Sequence, residues 1–304
     1  MIKLERIVCP TDLSKDSERT IRYAVALTRA SGAKLFVCYR PDTPADQEWA
    51  LATIQKLITA GLTFPSGVSH DPSTIAWESV LLDGSDLGKI ITREAESRRA
   101  DLIFMRSRRR PFAAALLGST AEAVSRFAPC PVLVMHADEL EWLDSTTGEI
   151  SLGNVLVAYD FSPHSQLALQ YAVTLAQQYQ ANLHMLHVLP PPIMDQPEIA
   201  WVNHTDTPYH QAARRLQEAV PAEVHLWSNV KHVVQYGQPY SEILNYAESN
   251  QIDLIAMGAH GAGFGIHTVF GSNVDRVLRQ VHCPLLIAHP IPAGLPSSAT
   301  TTHH

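Results

Sequence analysis

Three glycines near the end of the chain have a spacing suited to binding phosphate. Gly258 and Gly261 lie three residues apart, and Gly271 with Ser272 follows ten residues later, ahead of an apolar-periodic helix over 274–281. Glycine permits a backbone turn with φ > 0 and a close approach of the main chain to a ligand. The amides and positive dipole end of the following helix favour an anion. The segment therefore predicts a phosphate cradle.

Two common phosphate motifs are absent from this segment. No Lys follows Gly271 as a P-loop requires, and the glycine spacing differs from that of the dinucleotide fingerprint. In an open parallel sheet, ligands bind at the carboxyl ends of strands where the strand order reverses. A second contact is therefore expected after the first strand of this half, where Asp160 stands. Its carboxylate can accept hydrogen bonds from ribose hydroxyls, or it simply caps the next helix.

The pattern G-x2-G-x9-G-S, preceded by DLIAMG and followed by CPLLIAH, resembles the nucleotide-binding signature of the universal stress protein family. In the ATP-binding branch of that family the glycine loop holds the phosphates, which implies ATP, ADP or AMP as ligand and Mg2+ on the phosphates. The resemblance also assigns the aspartate to the adenosine portion and Val188 to the adenine wall. The predicted contacts are Ala158, Tyr159, Asp160, Val188, Met257, Gly258, His260, Gly261, Gly271, Ser272 and Asn273.

Several histidines allow more than one interpretation. His260 could hydrogen-bond a phosphate and His267 could line the rim, or both could be solvent-facing loop residues. His184 and His187 share one strand at a spacing of three, so they should point to opposite faces and do not predict a zinc pair. His136 and His289 occupy equivalent strand ends and could face each other across a domain pair, without a matching set of metal ligands.

The elements that must position these residues occur twice. RIVCPTDLSKDSERTIRYAVAL matches NVLVAYDFSPHSQLALQYAVTL at an offset of about 150 residues, and FAPCPVLVMH matches QVHCPLLIAH. Each half alternates short apolar strands with amphipathic helical segments, which indicates βαβ units and a mostly parallel sheet with helices on both faces. The predicted domains are 1–136 and 154–290, joined by a linker at 137–153 and followed by a flexible tail at 291–304.

The predicted strands fall at matching places in both halves. They are 5–9, 34–39, 76–82, 101–105 and 131–136, then 154–159, 183–188, 231–236, 253–257 and 284–289. Ser162 is the expected N-cap of the first helix of the second half. The resemblance implies a Rossmann-like, five-stranded α/β domain in each half, of the adenine nucleotide α-hydrolase-like type, and an internal pseudo-dimer formed through the last strands.

The first half has lost the turn glycines. Arg106 and Arg109 stand where the second half has Gly258 and Gly261, and the loop is one residue shorter. Arginine cannot provide the close backbone approach that glycine permits, so this half is not expected to bind ATP in the same manner. The cluster from Arg106 to Arg110 is either an anion-binding patch or a solvated loop.

Composition bounds the remaining possibilities. The net charge of −7 and pI of about 6.1 argue against a protein that coats nucleic acid or an anionic membrane. No apolar run is long enough to span a bilayer, and the N-terminus lacks the zones of a signal peptide, so a cytoplasmic protein is expected. The cysteines Cys9, Cys38, Cys130 and Cys283 lie in apolar strand-like runs and are expected to be reduced core residues.

The leading functional hypothesis is a stress-related regulatory protein that binds an adenine nucleotide in its second domain. Its protein partner and any homodimer beyond the internal pseudo-dimer stay open. No P-loop Lys or arginine finger points to rapid hydrolysis, which leaves slow ATPase activity with His260 or Asp160 as catalytic candidates. The alternatives are an adenylyl-transfer enzyme of a related fold, and a scaffold in which the glycines are only structural.

Overall fold

A single sheet of ten strands organises the molecule. The computed structural model describes residues 2–63, 71–107, 118–136, 142–144, 146–191, 207–261 and 270–289. The strands lie in the order β3-β2-β1-β4-β5-β10-β9-β6-β7-β8, so each half has the doubly wound order and the two halves meet at β5 and β10. All strand pairs are parallel except β5 with β10.

The elements of the two halves follow the same sequence. The strands are β1 Arg6–Thr11, β2 Lys34–Tyr39, β3 Ala76–Leu81, β4 Leu102–Arg106, β5 Val132–Met135, β6 Asn154–Ala158, β7 Asn182–Leu189, β8 Val230–Tyr236, β9 Leu254–Gly258 and β10 Leu285–Ala288. The helices are α1 Lys15–Ser31, α2 Asp46–Ala60, α3 Leu87–Ser97, α4 Ser119–Phe127, α5 Pro163–Tyr179, α6 Pro208–Ala219, α7 Pro239–Ser249 and α8 Ser272–Gln280. Short 3-10 helices cover Pro72–Thr74 and Ala222–Leu226.

The predicted fold class is confirmed, and each observed strand lies within two residues of a predicted one. The last strand of each half begins one residue after its proline because proline has no N–H for the ladder. Pro131 and Pro284 instead accept hydrogen bonds through their carbonyl groups, from the N–H of Ile103 and of Ile255. The alternation of apolar runs with helical segments located the strands in the sequence. In the last strand of each half, the proline sets the residue at which the strand starts.

Local sequence also fixes the first helix of the second half. The Ser162 hydroxyl accepts a hydrogen bond from the Ser165 N–H at 3.1 Å, and Pro163 occupies the first helical position. Both features are typical of helix N-termini. The prediction of Ser162 as N-cap is confirmed. The helix ends at Tyr179, and its C-cap Gln180 has left-handed backbone geometry with φ of 55°.

Two apolar layers run the length of the sheet, one on each face. One layer holds α1, α2, α5 and α6, and the other holds α3, α4, α7 and α8. Each layer contains buried residues from both halves, so the halves share their cores. Antiparallel pairing of β5 with β10 therefore forms an internal pseudo-dimer, as expected.

The same pairing corrects the expectation for two histidines. Leu285 pairs with Val134 and Ile287 with Val132. Continuing this antiparallel register places His289 beside Cys130 and His136 beside Cys283, at opposite ends of the strand pair. The expectation that His136 and His289 could face each other is wrong, because equivalent ends of antiparallel strands point away from each other.

An ion-pair cluster links α4 of the first half to α8 of the second. Arg126 lies 2.9 Å from Glu122, and Arg279 lies 2.8 Å from Asp275, each within its own helix. The longer pairs cross the junction, with Arg279 3.6 Å from Glu122 and Arg126 3.9 Å from Asp275. Each arginine therefore lies near one carboxylate of its own helix and one of the other helix. A network of this kind contributes more to holding the two helices together than an isolated surface ion pair does.

Trp142 joins the linker segment to both halves. Its side chain is 3% exposed. Its backbone N–H donates to the Tyr23 hydroxyl at 2.8 Å, and its indole N–H donates to the Asp253 carbonyl oxygen at 3.0 Å. The rings of Tyr23 and Trp142 meet edge to face with centroids 6.2 Å apart. One side chain therefore contacts α1 of the first half and the start of β9 in the second.

The cysteine prediction is confirmed: all four thiols are free and buried. Burial raises the pKa of Cys38 to about 12, with smaller effects from nearby charges, so this thiol stays protonated at neutral pH. Of the helices that the structure describes, none combines the length and apolar character needed to cross a membrane.

We expect Trp142→Ala to lower the free energy of unfolding by about 3–5 kcal/mol, because it leaves a large cavity between the two halves. Chemical denaturation monitored by circular dichroism measures this loss. The matched control is Trp49→Ala, since Trp49 is 55% exposed, and its cost should stay below about 1 kcal/mol. Equal costs for the two variants would contradict an anchoring role for Trp142.

Candidate functional site

A cavity of about 260 Å³ opens at the carboxyl ends of β6 and β9, where the strand order of the second half reverses. The structure brings every predicted contact residue to its lining: Ala158, Tyr159, Asp160, Val188, Met257, Gly258, His260, Gly261, Gly271, Ser272 and Asn273. The cavity is slightly smaller than the roughly 300–1,000 Å³ of small-molecule sites. A nucleotide would therefore extend partly beyond it.

The sequence did not reveal the apolar floor of this cavity. Leu186 reaches it from β7, and Pro239 and Ile243 reach it from the start of α7. These residues look like ordinary core positions in the sequence, because their helix and strand also pack into the apolar layer on this face of the sheet. Only the topology, which places α7 over β7, could have identified them.

Gly258 is required by close packing. A Cβ atom at this position would lie 2.6 Å from the Cβ of His164 and 2.7 Å from the His164 carbonyl carbon. The end of β9 and the start of α5 can therefore approach each other only if this residue has no side chain. None of Gly258, Gly261 and Gly271 has a positive φ, so the expected turn with φ > 0 is not found. What the three glycines share is a close approach of their backbone to neighbouring atoms.

The two carboxylate oxygens of Asp160 have different neighbours. Its Oδ1 atom accepts a hydrogen bond from the Ser162 N–H at 3.1 Å, which closes the turn after β6. Phe161, inside that turn, has a φ of 63°. The Oδ2 atom faces Gly261, where an added Cβ would lie 3.0 Å away. Because Ser162 is the N-cap of α5, capping does not account for Asp160.

The N-terminus of α8 completes the cradle. Gly271 is its N-cap and, as a glycine, provides no side-chain cap. The Gly271 N–H donates to the Ala259 carbonyl oxygen at 3.0 Å, which holds the helix start against the glycine loop. The helix begins at Ser272, two residues before the predicted start. Its first-turn amides and positive dipole end therefore border the cavity and favour an anion.

Three histidines border the cradle. The rings of His164 and His260 lie edge to face with centroids 5.1 Å apart. The buried Nδ1 of each, and the buried Nε2 of His289, have no hydrogen-bond partner among the described residues. Burial lowers the pKa of His164, and the neighbouring His260 lowers it further, against an opposite effect of Asp160. Of the described lining residues none is Lys or Arg, so the available anion contacts are amides, hydroxyl groups and imidazoles.

His184 and His187 point to opposite faces, as predicted. His184 is buried and hydrogen-bonds through Nδ1 to the Tyr246 hydroxyl at 3.0 Å, on the α7 side. His187 hydrogen-bonds through Nδ1 to the Tyr159 carbonyl oxygen at 2.7 Å, and its ring centroid lies 4.6 Å from that of Phe161. His187 also lines the cavity, a contact that the sequence did not indicate.

The first half retains part of this arrangement. Asp12 follows β1, Gly118 is the N-cap of α4, and Ser119 begins that helix. Arg106 ends β4 at the position that Gly258 has in β9. Arg108, Arg109, Arg110 and His267, together with the predicted tail and linker residues 137–141, lie outside the described residues.

Strand order and the position of the cavity define a doubly wound α/β protein with a cavity at its switch point. The sequence model of the Universal stress protein family matches residues 3–136 and again residues 152–289. The chain therefore belongs to the universal stress protein family, with two tandem domains.

Individual relatives agree with this family. A universal stress protein of Mycolicibacterium smegmatis is 31% identical over 181 residues, which cover 58% of this chain and 56% of that relative. The match thus spans little more than half of that relative's length. One from Thermus aquaticus is 31% identical over 140 residues, 44% of this chain and 96% of the relative. A universal stress protein structure from Archaeoglobus fulgidus has a TM-score of 0.64 at 22% identity, covering 94% of this chain and 99% of that one, which shows the fold.

We expect the folded protein to lose stability at acidic pH because of His289. Burial lowers its pKa to about 4, although a hydrogen bond with the Ser125 backbone opposes the shift, and His260 and His164 lower it slightly further. In the unfolded chain a histidine has a pKa of about 6.5. The unfolded state therefore binds more protons between these values, and stability is lost as the pH falls from 6.5 towards 4, by about 1.4 kcal/mol per pH unit for this residue.

Urea unfolding of the wild type and of His289→Gln at several pH values measures this contribution. The variant should lose stability less steeply between pH 6 and pH 5. His282 is exposed, so His282→Gln is the matched control and should keep the slope of the wild type. Identical slopes for all three proteins would show that His289 does not titrate in this range.

Proposed function

We propose that this protein is a cytoplasmic, stress-related regulatory protein that binds ATP, or another adenine nucleotide, in its second domain. The observation that carries the proposal is the close approach of β9 to α5 at Gly258, together with a helix N-terminus whose N-cap is a glycine. Both lie at one end of a cavity with an apolar floor, where the first-turn amides of α8 border the lining. A nucleotide presents matching chemistry, a flat apolar base at one end and phosphates at the other.

Each part of a nucleotide has a counterpart in the cavity. Val188, Ile243 and Met257 form the apolar wall for adenine. Asp160 accepts hydrogen bonds from the ribose hydroxyls, and the amides of Gly261 and Ser272 contact the phosphates. Oxygen donors beside the phosphates fit Mg2+, which prefers oxygen and is held largely by the phosphates themselves. The Ser272 hydroxyl is one side-chain oxygen in the lining that could contact the metal ion.

The regulatory role follows from what the cradle lacks. The described lining residues include no Lys or Arg to stabilise charge as a phosphoryl group is transferred. Binding without rapid turnover suits a protein that reports nucleotide level to a protein partner. For the domains we propose 1–136, a linker at 137–153, the nucleotide-binding domain at 154–290 and a tail at 291–304.

We expect isothermal titration calorimetry with ATP and Mg2+ to saturate near one site per chain. Gly261→Arg should weaken ATP binding by at least about tenfold, because any side chain there displaces the Asp160 carboxylate, 3.0 Å from the added Cβ. Arg106→Met, in the first domain, is the matched control and should leave ATP affinity unchanged. Two equal sites, or equal affinities for the wild type and Gly261→Arg, would refute the proposed site.

Turnover is tested separately by phosphate release. We expect the wild type to hydrolyse ATP far below the roughly 1 s⁻¹ that marks slow kinases. Any activity that belongs to this site should disappear in Gly261→Arg. If both proteins release phosphate equally, the activity comes from a contaminant. A rate in the range of ordinary enzymes that Gly261→Arg abolishes would instead support the enzyme alternative.

A further inference from the structure

The first domain has a larger cavity at the equivalent place. It encloses about 710 Å³ at the carboxyl ends of β1 and β4, against about 260 Å³ in the second domain. Loss of the turn glycines has therefore not closed the first cavity. What has changed is the chemistry of its lining, at two positions in particular.

The first change is at the end of β4. Arg106 pairs with Met135 in the sheet, as Gly258 pairs with Ala288, so the arginine occupies the place of the cradle glycine. Its side chain is only 13% exposed, and its Nη1 atom lies 3.3 Å from a carboxylate oxygen of Asp16. That Nη1 atom makes no well-formed hydrogen bond among the described residues. A buried guanidinium thus borders an open cavity with an incomplete set of partners.

The residue that faces Arg106 also differs between the two domains. Asp16 is the second residue of α1, and the second residue of α5 is His164. The close contact between Gly258 and His164 in one domain is therefore replaced by an arginine and an aspartate in the other. Asp16 is 70% exposed, so its attraction for Arg106 is screened by solvent. A ligand anion inside the cavity can replace it as the partner of the guanidinium.

The second change is at the end of β2. Lys34 and Asn182 pair with the first residues of β1 and β6, and counting forward from them aligns Arg40 with Val188. The apolar wall of the second cavity is thus an arginine in the first. Arg40 lies 3.5 Å from Asp42, a carboxylate that is itself exposed. Among the described residues, the carboxylates that pair with these two arginines are both exposed to solvent.

The rest of the lining suits a small organic molecule. Met105, Leu82 and Ile91 provide an apolar floor, and the start of α4 at Ser119 borders the cavity without a side-chain cap at Gly118. Arginine binds phosphate and carboxylate groups through several N–H donors in one plane. Two arginines that flank an apolar floor match a ligand with acidic groups and a short carbon skeleton.

We propose that the first-domain cavity binds a small organic acid, bearing phosphate or carboxylate groups, through Arg106 and Arg40. Asp16 is the internal competitor that pairs with Arg106 when the ligand is absent. The two domains then bind different molecules at equivalent places. This site does not depend on nucleotide binding by the second domain.

Calorimetric titrations with two probes test the proposal. Citrate represents ligands with carboxylate groups, and fructose 1,6-bisphosphate represents ligands with phosphate groups. Binding of at least one probe is expected. Arg106→Met should weaken it by at least tenfold, and Arg40→Gln should weaken it as well. Asp16→Asn should tighten it severalfold, because it removes the competing carboxylate while keeping the shape of the side chain.

Two further variants separate this site from others. Gly261→Arg blocks the second-domain cradle and should bind the probe as the wild type does, and so should the surface control Arg214→Gln, on α6. Circular dichroism melting shows whether each variant is folded, and Asp16→Asn keeps the test decisive if Arg106→Met does not fold. The proposal is overturned if neither probe binds, if Gly261→Arg rather than the arginine variants removes binding, or if Asp16→Asn weakens it.

Discussion

Antiparallel pairing of β5 with β10 is the interaction on which the rest of the molecule depends. A strand at the edge of a sheet exposes unpaired N–H and C=O groups, and the last strand of each half would be such an edge in isolation. Pairing the two edges satisfies both and aligns the two sheets into one. The helices of the two halves then meet over the junction, so the apolar layers become continuous and α4 and α8 face each other with complementary charges.

This arrangement also places the two cavities. Each lies between the first and fourth strands of its half, where the order reverses and the helices on either side diverge. The strand topology therefore explains why a cavity lies at the equivalent place in each half. The lining residues decide what each cavity can bind, and one difference between the halves involves the end of the fourth strand and the start of the first helix.

At that pair, one domain has glycine and histidine, and the other has arginine and aspartate. Gly258 allows the main chain of β9 to approach His164 until a single added carbon atom would clash. Arg106 and Asp16 meet instead through an ion pair at 3.3 Å. A duplicated chain of this kind can keep the sheet of one domain as structural support for the other, and change one site without altering the strand pairing that joins them.

Much of the fold follows from the sequence alone. Apolar runs and their spacing located all ten strands, because burial on both faces requires continuous apolar residues. The Ser162-Pro163 signal located a helix start. Glycine spacing and the family resemblance picked out eleven residues that the structure brings to the lining of one cavity. Tertiary structure decided what depends on distant segments: the direction of the β5–β10 pairing, which separates His136 from His289; the anchoring of Trp142 between the halves; and the partnership of Arg106 with Asp16. Sequence patterns report the local preference of each segment, whereas these contacts arise only when the whole sheet brings remote residues within reach of each other.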